Sequence, residues 1–170
     1  YDRPAQFELN AEAFDPGDLM VIYAKYLTGD DKISIQSDLP LSLNFIPYDD
    51  QTMIALAPLN FGIPAGQYDT TLTTGEHQQK FSVTIRDKDF PSKVLANEDG
   101  VIDIRRNANS KSQYDNIIQP ILEEKEASLL WSGSGLMPIE EGSISTVYGT
   151  RYYIGDETTT SIRHSGIDIP

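Results

Sequence analysis

The sequence predicts a mainly β protein whose N-terminal part is an antiparallel β-sandwich. Short apolar or alternating segments recur at roughly ten-residue spacing over residues 1–86, and turn-forming residues separate them. An alternating segment points every second side chain into a core. With 39% hydrophobic and 23% charged residues, the 170-residue chain has the composition of a folded protein rather than of a disordered one.

The predicted strands of this first part follow from apolar runs and turn signals. One run, 19–24, comes directly after the turn signal Asp15-Pro16-Gly17-Asp18. The other predicted strands are 33–35, 41–45, 53–57, 68–72 and 80–85. About six or seven such strands indicate a sandwich of the immunoglobulin-like type. Residues 62–68 lie where such domains turn into their final hairpin.

Residues 87–130 change character and predict a linker. Polar and charged residues dominate its first part, with room for one extended stretch around Val94-Leu95. Apolar residues then recur at helical three- and four-residue steps, which predicts a helix over 112–130 capped by Ser112 or Asp115. Pro120 removes a backbone donor, so we expect one bent helix or two short ones.

Residues 131–170 again predict strands and turns. The predicted strands are 144–148, 151–154 and an extended stretch over 162–169, with a polar loop at 155–161. The chain therefore divides into a sandwich at 1–86, a helical linker at 87–130 and a β-rich part at 131–170.

Charge and composition exclude several classes of function. The formal net charge is −13 and the pI is about 4.4, which argues against binding to nucleic acid or to anionic membranes. No apolar run approaches the roughly 20 residues that span a bilayer. Because there is no cysteine, disulfides and thiolate metal sites are excluded, and a metal would need histidine, carboxylate or carbonyl ligands.

His164 and Asp168 are the candidate metal ligands. Residues four apart in a strand lie on one face, and Gly166 between them leaves room for a ligand or for a backbone turn. Imidazole and carboxylate together suit Zn²⁺, which needs about three protein ligands in a catalytic site. By spacing alone, a solvated pair or a metal-free acid–base pair remains an alternative. The other histidine, His77, lies in a turn that we expect to be exposed.

Two phrases in the last thirty residues resemble the start of the M23 (lysostaphin-type) peptidase domain. They are Tyr148-Gly149-Thr150-Arg151 and His164-Ser165-Gly166-Ile167-Asp168-Ile169, in this order and separated by a variable loop. Upstream, Trp131-Ser132-Gly133, Met137-Pro138 and Gly142 are similar to the beginning of that domain in secreted members. Such members often carry an immunoglobulin-like module and a helical linker, so the resemblance covers the whole layout.

The resemblance implies a zinc metallopeptidase of bacterial peptidoglycan, exported to the cell wall, that cuts peptide cross-links. His164 and Asp168 match the family's first two zinc ligands, and zinc would activate water. The family's third ligand and its catalytic histidine come from a later His-x-His strand, a motif that these 170 residues lack. We therefore expect the chain alone to be inactive.

The sequence leaves other functions open. One is a non-enzymatic cell-wall or protein-binding scaffold with a degenerate M23 domain. Another is a regulatory role in which the N-terminal part of the chain occludes the active-site groove. Partners would then be peptidoglycan, a protein, or a second copy that exchanges strands. Arg151 and Arg163 could contact substrate carboxylates, but we expect them to hold the loop structure. Tyr152 and Tyr153 could shape a substrate groove, but we expect one of them to pack in a core. We expect Trp131 to fill the joint between domains rather than to stack on a sugar.

Overall fold

The strands account for most of the regular structure in the computed structural model, which describes residues 3–27, 31–96, 107–125, 128, 142–155 and 162–170. The described residues form two units: the first contains those up to Asp89 together with Ser128, and the second contains the others from Phe90 onward. The first unit contains β1 (Gln6–Leu9), β2 (Ala13–Phe14), β3 (Leu19–Lys25), β4 (Ile33–Ser37), β5 (Ile46–Asp49), β6 (Thr52–Pro58), β7 (Gly66–Thr74) and β8 (His77–Ile85). The protein is thus mainly β, as the sequence predicts.

The first unit is a sandwich of two four-stranded sheets. One sheet has the order β1-β3-β6-β5 and the other has the order β2-β8-β7-β4. All neighbours are antiparallel except β2 and β8. This order is the immunoglobulin arrangement, in which the first, second, fifth and fourth strands form one sheet and the third, sixth and seventh form the other. Here β1 and β2 share the role of the first strand, one in each sheet.

A single hydrophobic core fills the space between the two sheets. Alternate residues of β3 point inward, so Met20, Ile22 and Ala24 are fully buried. Leu72 of β7 and Val83 of β8 meet them from the opposite sheet and are also fully buried. Both sheets therefore depend on the same packed layer.

A tyrosine fixes the corner that precedes β7. The hydroxyl of Tyr68, near the start of this strand, donates to the carbonyl of Pro64 at 2.8 Å. A tyrosine that bonds back to the chain just upstream is a hallmark of the sixth strand in immunoglobulin-like domains. The segment 62–68 therefore lies where the sequence predicts it, before the final β7–β8 hairpin.

Most predicted strands of this unit are confirmed, but 41–45 is not a strand. Leu41, Leu43 and Phe45 pack against the core while Ser42 and Asn44 are exposed, so the alternation is real. Alternation reports burial and not strand pairing, which is why it predicted a strand wrongly. The sequence analysis missed the short strands β1, β2 and β5.

The helix begins and ends earlier than predicted. It consists of α1 (Ala108–Gln113), a π-helical turn (Tyr114–Ile118) and α2 (Gln119–Glu123). Its cap is neither Ser112 nor Asp115 but Asn107, whose side-chain oxygen accepts a hydrogen bond from the Ser110 amide at 3.0 Å. The π-helical turn ends at Ile118, two residues before Pro120, and this wider turn accommodates a residue that lacks an amide donor. None of the described helices is long and apolar enough to cross a membrane.

The second unit contains a three-stranded sheet in the order β11-β10-β9. Its strands are β9 (Ser92–Leu95), β10 (Arg151–Ile154) and β11 (Ile162–Arg163). β10 runs antiparallel to β11 and parallel to β9. The extended stretch around Val94 is therefore not part of a free linker, because it is a strand of the same sheet that leads to His164.

Substitution of Leu72 by alanine tests the shared core. Leu72→Ala removes a fully buried side chain, so we expect the free energy of unfolding to fall by about 2–5 kcal/mol. Leu19→Ala is the matched control, because Leu19 of β3 is 47% exposed and should lose far less. Urea unfolding followed by circular dichroism measures both. Equal losses in the two variants would contradict the assigned core.

Candidate metal centre

Backbone hydrogen bonds fix His164 directly after β11. Its amide donates to the carbonyl of Thr150 at 2.9 Å, and its carbonyl accepts from the amide of Gly149 at 2.8 Å. Both backbone groups of the histidine are thus bonded to the segment that leads into β10. The two phrases that carry the family resemblance lie against each other in space.

A second pair of backbone bonds fixes Asp168. Its amide donates to the carbonyl of Thr146 at 3.0 Å, and its carbonyl accepts from the amide of Ser145 at 2.9 Å. Thr146 and Asp168 form an isolated antiparallel bridge. The predicted strand 144–148 is therefore reduced to this one bridge, followed by a turn, and the stretch 162–169 is a strand only at its beginning.

These contacts bring the two candidate ligands together. Nε2 of His164 lies 3.3 Å from Oδ1 of Asp168, and their side chains are 18% and 53% exposed. Although this is ion-pair distance, the contact lacks hydrogen-bond geometry, so the buried Nε2 has no hydrogen-bond partner. The two atoms are juxtaposed without being bonded.

That spacing fits a shared zinc ion. Zinc binds imidazole nitrogen and carboxylate oxygen at about 2.0–2.2 Å, and two such ligands at a tetrahedral angle lie about 3.4 Å apart. The observed separation is close to that edge. A buried nitrogen without a partner would also be costly unless another group binds it.

The surroundings of the pair are packed on one side and open on another. The ring of Tyr152 meets the His164 imidazole edge-on, with 5.9 Å between ring centroids and 70° between planes. A side chain added at Gly166 would meet no atom within 4 Å, and the backbone there is not left-handed. Gly166 lies in a bend with open space beside it, so both roles considered for it, room for a ligand and a backbone turn, agree with the structure.

Phe90, in the segment before β9, packs against residues that hold the backbone of His164 or precede it. The Phe90 ring is buried against Gly149, and the guanidinium of Arg163 lies 5.6 Å from the centre of that ring. Arg163 also donates to the carbonyl of Gly149 at 3.0 Å. The Arg163 side chain therefore anchors Gly149, while Arg151 contributes its amide to the carbonyl of Pro91 at 2.8 Å. The loop that the two arginines were expected to hold lies, after Gly155, outside the described residues.

Lys93 of β9 bonds the segment that holds the backbone of Asp168. Its ammonium donates to the hydroxyl of buried Thr146 at 2.6 Å and to the carbonyl of Ser145 at 2.9 Å. These are the two residues that bond the backbone of Asp168. The roles of Phe90 and Lys93 were not predicted, because only the apolar pair Val94-Leu95 indicated an extended stretch in this part of the sequence.

Within the described ranges, no third histidine, aspartate or glutamate completes a metal-binding cluster. His77 lies in the first unit and is half-buried rather than exposed, which corrects the expectation. It stacks on Phe7 with 6.3 Å between ring centroids. Trp131, Met137 and Pro138 lie outside the described residues.

Comparisons with known proteins add little. No protein-family model matches the chain, and no curated protein matches it. Among solved structures, the chain is similar to the crystal structure of a DUF4784 family protein from Bacteroides caccae, with 16% identity and a TM-score of 0.32. The match covers 51% of this chain and 24% of that one, so it spans about a quarter of that protein. A likeness at this TM-score carries no argument about fold or function.

Substitution of Gly149 by alanine tests the contact between Gly149 and Phe90. The residue has a φ of +82°, and an added Cβ would lie 2.3 Å from the Phe90 ring. We expect Gly149→Ala to displace Phe90 and to speed hydrogen exchange of the His164 amide at least about tenfold, because overpacking of a tight contact costs about 1–3 kcal/mol.

Gly155→Ala is the matched control. Gly155 also has a positive φ, of +55°, but an added Cβ would meet no atom within 4 Å. Its cost is therefore that of the backbone conformation alone, about 1 kcal/mol. Hydrogen exchange measured by NMR on both variants should show the larger effect at Gly149. The same exchange rate in the two variants would mean that the contact with Phe90 does not hold the site.

Proposed function

We propose that this chain belongs to an exported bacterial zinc metallopeptidase of the M23 type, which cuts peptide cross-links of peptidoglycan. The observation that carries the proposal is the unbonded approach of His164 Nε2 to Asp168 Oδ1 at 3.3 Å. It agrees with the ligand roles that the two family-like phrases imply.

His164 and Asp168 would hold the zinc ion in this proposal. Bound zinc supplies a Lewis acid that polarises the scissile carbonyl and lowers the pKa of a bound water. The two side chains bind and orient, and their backbones are fixed by Thr150 and Thr146 so that neither has to be ordered when metal binds. Tyr152, edge-on to the imidazole, restricts its rotation.

The chain does not carry the later His-x-His strand on which the family relies for its third ligand and catalytic histidine. A protein that joins such a strand to this pair would have a complete site. The second candidate function is a non-enzymatic cell-wall scaffold, in which the His164–Asp168 pair would serve only as structure. Peptidoglycan hydrolysis by the longer protein distinguishes the two.

Zinc content is the first test, and it uses a protein that joins a His-x-His strand to this chain. We expect His164→Ala and Asp168→Ala each to lower zinc affinity more than about 100-fold, since even the outer partners of zinc ligands contribute about 10–100-fold. Peptidoglycan cleavage should be lost in parallel. Isothermal titration and metal analysis measure the affinity.

His77→Ala is the control for the loss of a histidine. His77 is likewise half-buried with an unbonded Nε2, but it lies in the first unit. The zinc affinity and turnover of the His77→Ala protein should equal those of the wild type. Full zinc occupancy and full turnover in both ligand variants would refute the assignment, and tight zinc binding without cleavage would support the scaffold.

A further inference from the structure

Among the described residues, one side of β8 has no neighbouring strand over its first seven residues, 77–83. At its C-terminal end, the amide of Thr84 donates to the carbonyl of Glu12 at 3.0 Å and the amide of Arg86 donates to the carbonyl of Phe14 at 2.8 Å. Backbone groups alternate in direction along a strand, so those of Lys80 and Ser82 point to the same side. No described strand pairs with that side before Thr84.

The facing wall is the outer edge of β1, and an amide already occupies part of it. The side chain of Gln79 accepts from the Phe7 amide at 3.0 Å and donates to the Phe7 carbonyl at 2.7 Å. This is the two-point bond that a residue of an added strand would make. Because this amide belongs to β8 itself, it satisfies Phe7 of β1, and the outward groups of Lys80 and Ser82 on β8 are the positions that have no described strand partner.

A groove of about 620 Å³ separates the two edges, and we call it the β1–β8 groove. Gln6–Leu9 is one wall, residues 79–82 are the other, and Ala11 and Glu12 close one end. Its size falls within the range of about 300–1,000 Å³ found for ligand sites. A strand laid along residues 78–82 would continue the line of β2.

Charge selects what such a strand can carry. Glu8 is paired with Lys25 at 2.6 Å, whereas Glu12 and Lys80 are exposed and make no ion pair with a described residue. A strand with a basic end beside Glu12 and an acidic residue beside Lys80 would be complementary. A second copy of this chain is a poorer occupant, because two molecules with a net charge of −13 repel each other.

We propose that the β1–β8 groove binds an extended peptide segment of another protein, which adds a strand to β8 next to Lys80 and Ser82. Main-chain bonds to the outward groups of these two residues provide affinity, and Lys80 and Glu12 select the sequence. The free lysine at the edge also opposes indiscriminate strand pairing. This site is independent of the proposed peptidase activity.

The test is an NMR titration of the whole chain with two synthetic peptides. Each has six residues of alternating valine and threonine with a lysine at the first position. The fourth position is glutamate in the first peptide and lysine in the second. Antiparallel addition, the more stable mode per residue, places the first position near Glu12 and the fourth near Lys80. We expect shifts and slowed exchange at the Lys80 and Ser82 amides, with about fivefold tighter binding of the glutamate peptide.

Three variants sharpen the test. Lys80→Glu should reverse the preference between the peptides, while Lys32→Glu, an exposed change of equal charge in the same unit, should preserve it. Ser82→Pro removes an amide that the β7–β8 ladder does not use, so binding should be lost while the spectrum of the fold remains. If Ser82→Pro unfolds, the reversal by Lys80→Glu still decides.

Three results would overturn the proposal. One is the absence of shifts at Lys80 and Ser82 at millimolar peptide. Another is an equal effect of the Lys32 and Lys80 variants, which would mean that binding depends on net charge alone. The third is a dependence of these two amides on protein concentration without peptide, which would make a second copy the occupant.

Discussion

The ring of Phe90 lies against the backbone of Gly149, and no side chain fits between them. Because Gly149 can adopt a left-handed conformation, the chain turns there and presents its amide to the carbonyl of His164. The same ring lies beneath Arg163, which immediately precedes the histidine. The Phe90 ring therefore contacts both the segment that leads into β10, at Gly149, and the end of β11, at Arg163.

The site is built from backbone bonds more than from side-chain bonds. His164 and Asp168 are each held by two main-chain bonds, while their side chains approach without bonding. Such an arrangement leaves the candidate ligand atoms available and would limit the conformational entropy lost on binding a metal. The parallel pairing of β9 with β10 supports it, since Lys93 bonds the residues that hold Asp168.

Much of this could be predicted from the sequence, and what could not has physical causes. Periodicity predicted the main strands because burial alternates along β3 and β7. It failed at 41–45, where burial alternates without a ladder, and it could not place β9, whose parallel partner is more than fifty residues away. The His164–Asp168 pair was predicted from a regular strand, yet the structure brings the two together through the bridge at Thr146.

The helix also shows what sequence periodicity cannot predict. Its apolar spacing predicted a helix correctly, but a buried face does not follow from spacing. The large apolar residues of the helix are 42–64% exposed, namely Tyr114, Ile117, Ile118, Ile121 and Leu122. In the helix, local pattern therefore predicted the type of element, whereas contacts distant in sequence determine what an element packs against.

The central claim is that His164 Nε2 and the Asp168 carboxylate form one metal site. The most direct measurement is the imidazole ¹⁵N spectrum of the chain during titration with Zn²⁺. The account predicts a shift of His164 Nε2 that weakens in Asp168→Asn, while the imidazole of His77 does not change. Equal shifts at both histidines, or a His164 shift unaffected by Asp168→Asn, would contradict it.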